Sequence, residues 1–139
     1  MGLFNRVLSK SIWVFHASAS PCNNCDIEIL DLLTPRYDLE RFGIKLVGSV
    51  RHADVLLVTG IGGCKISERV KRIYEQASKP FFVVAVGTCP TAGATFKNGY
   101  TNCGPMEEII PVDLYIPGCP PKPETMIAGI AELIGRLKR

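Results

Sequence analysis

The chain lacks any apolar run long enough to cross a bilayer. Its longest, Val55–Val58 and Phe81–Val86, fall far short of the roughly 20 residues a membrane helix needs. A signal peptide is not expected, because Asn5, Arg6, Ser9, Lys10 and Ser11 interrupt the N-terminal apolar stretch. The myristoylation pattern is missed as well, with Arg6 where Ser or Thr is required. No strong excess of one charge is present: 16 basic against 13 acidic residues leave a net charge of +3. That excess is scattered, whereas a nucleic-acid-binding domain concentrates its basic residues on one face, so no nucleic acid is expected as a partner. There is no internal repeat, low-complexity stretch or linker. No Ser/His/Asp set and no pair of catalytic carboxylates stands out, so no substrate chemistry is expected of this chain alone.

What is present is a folded composition, 47% hydrophobic and 21% charged over 139 residues, the size of one ordinary domain. Four short apolar runs read as buried strands: Ile12–His16, Ala53–Thr59, Phe81–Gly87 and Val112–Ile116. They are near-continuous rather than alternating, the pattern of a parallel strand covered on both faces. Lys45–Gly48 reads as a weaker fifth. Between them, Ile66, Val70, Ile73, Tyr74 and Ala77 repeat at helical spacing, as do Met126, Ile130, Leu133, Ile134 and Leu137 in a last helix beginning near Glu124. Asp26–Leu33 reads as a shorter helix stopped by Pro35. Strands alternating with helices predict right-handed βαβ units and an α/β fold, an open parallel sheet with helices on both faces. Residues 1–12 read as a separate amphipathic helix, with Leu3, Phe4, Val7, Leu8 and Ile12 on one side. It either packs on the domain's own core or docks on a partner subunit or membrane surface. Residues 13–139 form the single domain.

The six cysteines are too sparse for a secreted disulfide scaffold. Without targeting signals the chain is expected in the cytosol, where thiols stay reduced and clustered cysteines read as metal ligands or redox groups. Cys22 and Cys25 form C-N-N-C after the first strand; Cys89 and Cys119 follow the carboxyl ends of two others. In an open parallel sheet those ends share one edge, where ligand sites gather. A CxxC pair turns both sulfurs to one centre, and the other two ligands arrive singly from distant loops. Cys89-Pro90 and Cys119-Pro120-Pro121 carry Pro directly after the ligand candidate, stiffening each loop, beside Gly87 and Gly118, which permit close backbone approach. Four thiolates suit structural zinc as well as an iron–sulfur cluster. A single CxxC joined by two lone cysteines, on a domain large enough to fold without metal, favours the cluster.

Cys64 and Cys103 are left over. Cys64 opens a helix after a strand and reads as a small, partly buried residue, or as a reactive thiol beside Lys65. Cys103 lies in a Gly/Asn-rich loop and is expected to be free. Gly60-Ile61-Gly62-Gly63 lacks the third glycine and the acidic residue of a dinucleotide fingerprint, leaving a nucleotide-binding enzyme on fold analogy alone. His16 reads as a satisfied core histidine and His52 as a surface one. Asp26 offsets a helix dipole; Glu28 either does the same or relays protons at a subunit contact.

Three segments, Pro21–Ile29, Thr34–Gly43 and Arg51–Gly60, with Gly87-Thr88-Cys89-Pro90 and Ile116–Glu124, together resemble the small subunit of energy-converting, membrane-bound [NiFe] hydrogenases, relatives of the complex I 20 kDa subunit. The likeness spans nearly the whole chain, and the CxxC points to the hydrogenase-like branch. The resemblance implies a flavodoxin-like fold and one [4Fe–4S] cluster held by Cys22, Cys25, Cys89 and Cys119. It implies that the chain passes electrons from a ferredoxin-like iron–sulfur subunit to the active site of a large hydrogenase-like subunit. Integral membrane subunits would couple that transfer to ion pumping, and the chain would sit peripherally on the cytoplasmic side of the cell membrane. The loops Ser49–His52 and Thr59–Ile61 depart from the family pattern, as does Asn24 inside the CxxC. A complex reducing sulfur compounds or another acceptor therefore stands as the alternative to a hydrogenase. A zinc-stabilised interaction domain is the lower one.

Overall fold

The computed structural model describes residues 10–137. Five parallel strands form one sheet: β1 (Ile12–Ser18), β2 (Ile44–Leu46), β3 (Val55–Thr59), β4 (Phe82–Val86) and β5 (Leu114–Ile116), in the order β2-β1-β3-β4-β5. This is the flavodoxin-like order, whose switch point lies between β1 and β3. Four helices connect and flank the strands: α1 (Asn24–Asp31), α2 (Cys64–Gln76), the single turn α3 (Cys89–Ala92) and α4 (Pro123–Leu137). Within the described residues the expected strands and helices are present: β1 runs two residues further than expected, β3, β4 and β5 are trimmed at their ends, and β2 covers Ile44–Leu46 rather than Lys45–Gly48.

The near-continuous apolar runs are explained by burial on both faces. In β3, Val55 and Leu57 point into a core with Ile29 and Leu32 from the α1 region and Met126, Ile130 and Leu133 from α4. Leu56 and Val58, one residue out of phase, join Val70 of α2 and Met106 in the other core. The strand period of two thus sends successive side chains into different layers, both apolar. The helical repeats supply the lids: Ile66, Val70, Ile73 and Tyr74 form one stripe of α2, over the second core.

The register decides where the loops start. Ser18 pairs with Thr59, Thr59 with Val86, and Val86 with Ile116. Four strands therefore end in one row, and the residues after them leave from a common edge. Among the described residues no helix is long and apolar enough to cross a membrane. The amphipathic helix expected over 1–12 lies, through residue 9, outside the described residues. Its last expected member, Ile12, is instead the first residue of β1, bonded through its N–H to Gly43.

Candidate metal centre

The four strand-end cysteines come together at that edge. Cys22, Cys25, Cys89 and Cys119 are all free thiols; Cys25 and Cys89 are buried, Cys22 and Cys119 exposed. Their mutual proximity is visible in their acidity. Burial, then repulsion from Cys89, Cys22, Cys119 and Asp26, pushes the Cys25 thiol up to about 11. The Cys89 thiol is also raised, by burial and by Cys119 and Cys22. Cys25 therefore feels the three other strand-end cysteines, and Cys89 feels Cys119 and Cys22.

Each loop is tied to its neighbour. Gly87 N–H donates to Ile116 O (2.8 Å), and Thr88 donates to Gly118 O through both its N–H (2.8 Å) and its hydroxyl (3.0 Å). The Cys89 turn and the Cys119 turn are thus one hydrogen-bonded unit. Gly87 has φ 97°, and a Cβ there would come 2.8 Å from Cys25 Sγ. Gly118 has φ 150°, and a Cβ there would run into Pro121. Both glycines are required, one for close approach to a thiol and one for the fold of its own loop.

The CxxC turn is anchored differently. Asn23 takes a left-handed conformation (φ 72°) before α1, and no side chain caps that helix. In its first turn Asp26 reaches back to the sheet. Its carboxylate accepts from Ser18 Oγ (2.8 Å) and Thr59 Oγ1 (2.5 Å), and His16 Nε2 lies 3.1 Å from it and 3.2 Å from Thr59 Oγ1. His16 is indeed satisfied, as expected. Asp26 is more than the dipole-offsetting carboxylate the sequence implied. Thr59 is wholly buried, and the one signal for it in the sequence is its polar side chain at the end of the apolar run Val55–Thr59.

A tetrahedral single-ion site draws its sulfurs to within about 3.8 Å of one another, given metal–sulfur bonds of roughly 2.3 Å. Among the described residues no group of three or more His, Cys, Asp or Glu side chains is placed to hold a single metal ion. What bears on an iron–sulfur cluster is the donor set itself, four free cysteine thiols, the ligands such a cluster takes.

Cys64 and Cys103 correct the expectation. Cys103 is not free, nor is Cys64 a lone thiol opening a helix: the two form a disulfide, with Cα atoms 5.0 Å apart. The cause is tertiary. Gly63 bridges Asn102 in antiparallel fashion, and Cys64 N–H donates to Thr101 O (2.9 Å), laying the two segments side by side.

Residues 22–133 match the family described as the NADH ubiquinone oxidoreductase 20 kDa subunit. A probable membrane-bound hydrogenase subunit of Pyrococcus furiosus is 51% identical over 135 residues, covering 96% of this chain and 80% of that protein. A chain of the membrane-bound sulfane sulfur reductase, an archaeal respiratory membrane complex, superposes with a TM-score of 0.86 at 40% identity, covering 97% of this chain and 75% of that one. A chain of an NAD+-reducing [NiFe]-hydrogenase shares the fold, with a TM-score of 0.70 at 21% identity over 91% of this chain and 92% of that one. The chain belongs to the NADH ubiquinone oxidoreductase 20 kDa subunit family, a family of oxidoreductase-complex subunits.

Proposed function

We propose that this chain is an electron-transfer subunit that holds one [4Fe–4S] cluster on Cys22, Cys25, Cys89 and Cys119. It passes electrons between a ferredoxin-like subunit and a large hydrogenase-like subunit in a membrane-bound, ion-pumping complex, from the cytoplasmic side. The observation that supports the reading is the placement of four free thiols just beyond the carboxyl ends of β1, β4 and β5, two buried and two exposed. A cluster bound there would supply one-electron redox chemistry. The residues of the chain do the rest. Cys25 and Cys89, both buried, form the inner side of the site, Cys25 beside Gly87. Cys22 and Cys119 face outward, where a partner's redox group must approach. Exposed Ile27, Leu30 and Leu33 (61%, 59% and 38%) lie in and just after α1, beside the CxxC, and offer an apolar rim for a protein neighbour.

The 51% identity to a hydrogenase subunit favours proton reduction as the terminal reaction. The close superposition on the sulfane sulfur reductase chain supports sulfur compounds as a second reading. Purification of the intact complex separates them: hydrogen evolution from a nickel-bearing large subunit on one side, sulfide release on the other.

The test of the cofactor is analysis of anaerobically purified protein for iron, acid-labile sulfide and zinc. About four irons and about four sulfides per chain are expected for one cubane cluster. One zinc with no sulfide overturns the reading and leaves the zinc-stabilised interaction domain.

A further inference from the structure

Asp26 does not do what a carboxylate at the third position of a helix ordinarily does. In a capping box the side chain returns to the N-cap N–H, and elsewhere it faces water and offsets the dipole. Here α1 has no side-chain cap, and the carboxylate turns inward to hydroxyls at the last residues of β1 and β3. Ser18 and Thr59 are paired in register, so one carboxylate spans two adjacent strands at the switch point of the sheet. Thr59 is wholly buried, and a buried hydroxyl must find a partner. Its proton goes to Asp26 Oδ1. With its proton on Nε2, His16 donates to the same oxygen from 3.1 Å. Ser18 supplies the other oxygen.

This arrangement sits one residue from Cys25, whose sulfur takes up the space a Cβ at Gly87 would need. A shift of the first turn of α1 would move that sulfur directly.

We propose that Asp26 is the positioning residue of the metal centre: clamped by Ser18, Thr59 and His16, it holds Cys25 in place and sets a negative charge beside the group the four cysteines bind. The inference rests on the cluster reading above. A fixed negative charge disfavours the reduced, more negative state, so it lowers the reduction potential. Asp26→Asn keeps an acceptor oxygen for Thr59 and removes the charge. Asp26→Ala removes both. Thr59→Val deletes one donor at constant shape, and Thr59→Ser restores it.

The experiment has two arms. In metal-free protein under reducing conditions, thiol alkylation is followed site by site by peptide mass spectrometry, with Cys89 as internal reference. Asp26→Ala and Thr59→Val raise the Cys25-to-Cys89 rate ratio about tenfold, and Asp26→Asn and Thr59→Ser hold it near wild type, a factor of ten being about 1.4 kcal/mol of opening free energy. In loaded protein, an EPR-monitored redox titration of Asp26→Asn shows the oxidised-to-reduced ratio at fixed poise falling about tenfold, an upward shift of about 59 mV for a one-electron couple. An unchanged ratio in Asp26→Ala overturns the proposal, as does an equal rise at Cys25 and Cys89, which is global loosening. An unchanged midpoint in Asp26→Asn overturns it too. A preparation with zinc and no sulfide overturns the cluster reading alone, and the alkylation ratio still decides the role of Asp26.

Discussion

Cys25 lies against the backbone of Gly87: a single added carbon at Gly87 would sit 2.8 Å from the Cys25 sulfur. The end of β4 is thereby shaped to a thiol offered by the first turn of α1, which follows β1, across the intervening strand β3. A methyl at this point meets a sulfur and a backbone at φ 97° that disfavours any side chain. Gly87→Ala is therefore expected to cost about 1–3 kcal/mol of stability and to lower the iron content of purified protein. Gly135→Ala is the matched control, in a helix with nothing within 4 Å of the new methyl. It gains about 0.5–1 kcal/mol and leaves iron unchanged. Thermal melts and iron analysis of the two variants check both statements.

The Cys64–Cys103 disulfide closes a loop of 39 residues in sequence separation. Constraining the unfolded chain over such a span stabilises the native state by about 2–4 kcal/mol. Replacing both cysteines with Ser is expected to lower the melting temperature and to abolish its sensitivity to dithiothreitol. Iron content stays at the wild-type level, because neither residue belongs to the proposed ligand set. If the double variant loses its iron, that set is wrong.

The contrast between these cysteines and the other four marks what can be read from sequence. Cys22, Cys25, Cys89 and Cys119 follow apolar runs, and runs of that kind become parallel strands whose ends fall on one edge. Convergence is then a consequence of the fold class, and the row Ser18–Thr59–Val86–Ile116 realises it. Cys103 follows no strand. Its pairing depends on the Gly63–Asn102 bridge, a contact between an irregular loop and a helix entry that no periodicity announces. The role of Asp26 was hidden for a similar reason. A carboxylate opening a helix has an adequate local explanation, and its true partner Thr59 lies 33 residues away.

The thiols give the centre a pH dependence whose sign is determined by burial. Metal binding requires thiolates and releases protons, and the Cys25 thiol is raised from an ordinary 9.0 to about 11. The apparent iron affinity of reduced, metal-free protein is therefore expected to rise with pH from about pH 7 to about pH 9, with proton release on loading. Anaerobic iron titrations at several pH values, with proton uptake or release recorded, measure it; a flat profile contradicts the buried ligand. In the metal-free state the stability that protonated Cys25 confers is complete below its unfolded value near 9.0 and is lost as pH rises toward about 11.

Stability and the metal centre are separable, because the opposite edge of the sheet has its own clamps. Asp113, just before β5, exchanges two bonds with Val83: its N–H donates to Val83 O (2.9 Å), and its carboxylate accepts from Val83 N–H (2.8 Å). Asp54, just before β3, does the same with Trp13. In both places a carboxylate takes the first N–H that the ladder leaves over. Asp113→Ala strands the amide of a wholly buried residue, which costs about 1–3 kcal/mol. The urea midpoint is expected to fall accordingly, while iron content and the Cys25-to-Cys89 alkylation ratio stay at wild-type values. A loss of iron in this variant would mean that the cysteine edge depends on sheet stability at large, not on the local contacts of Asp26 and Gly87.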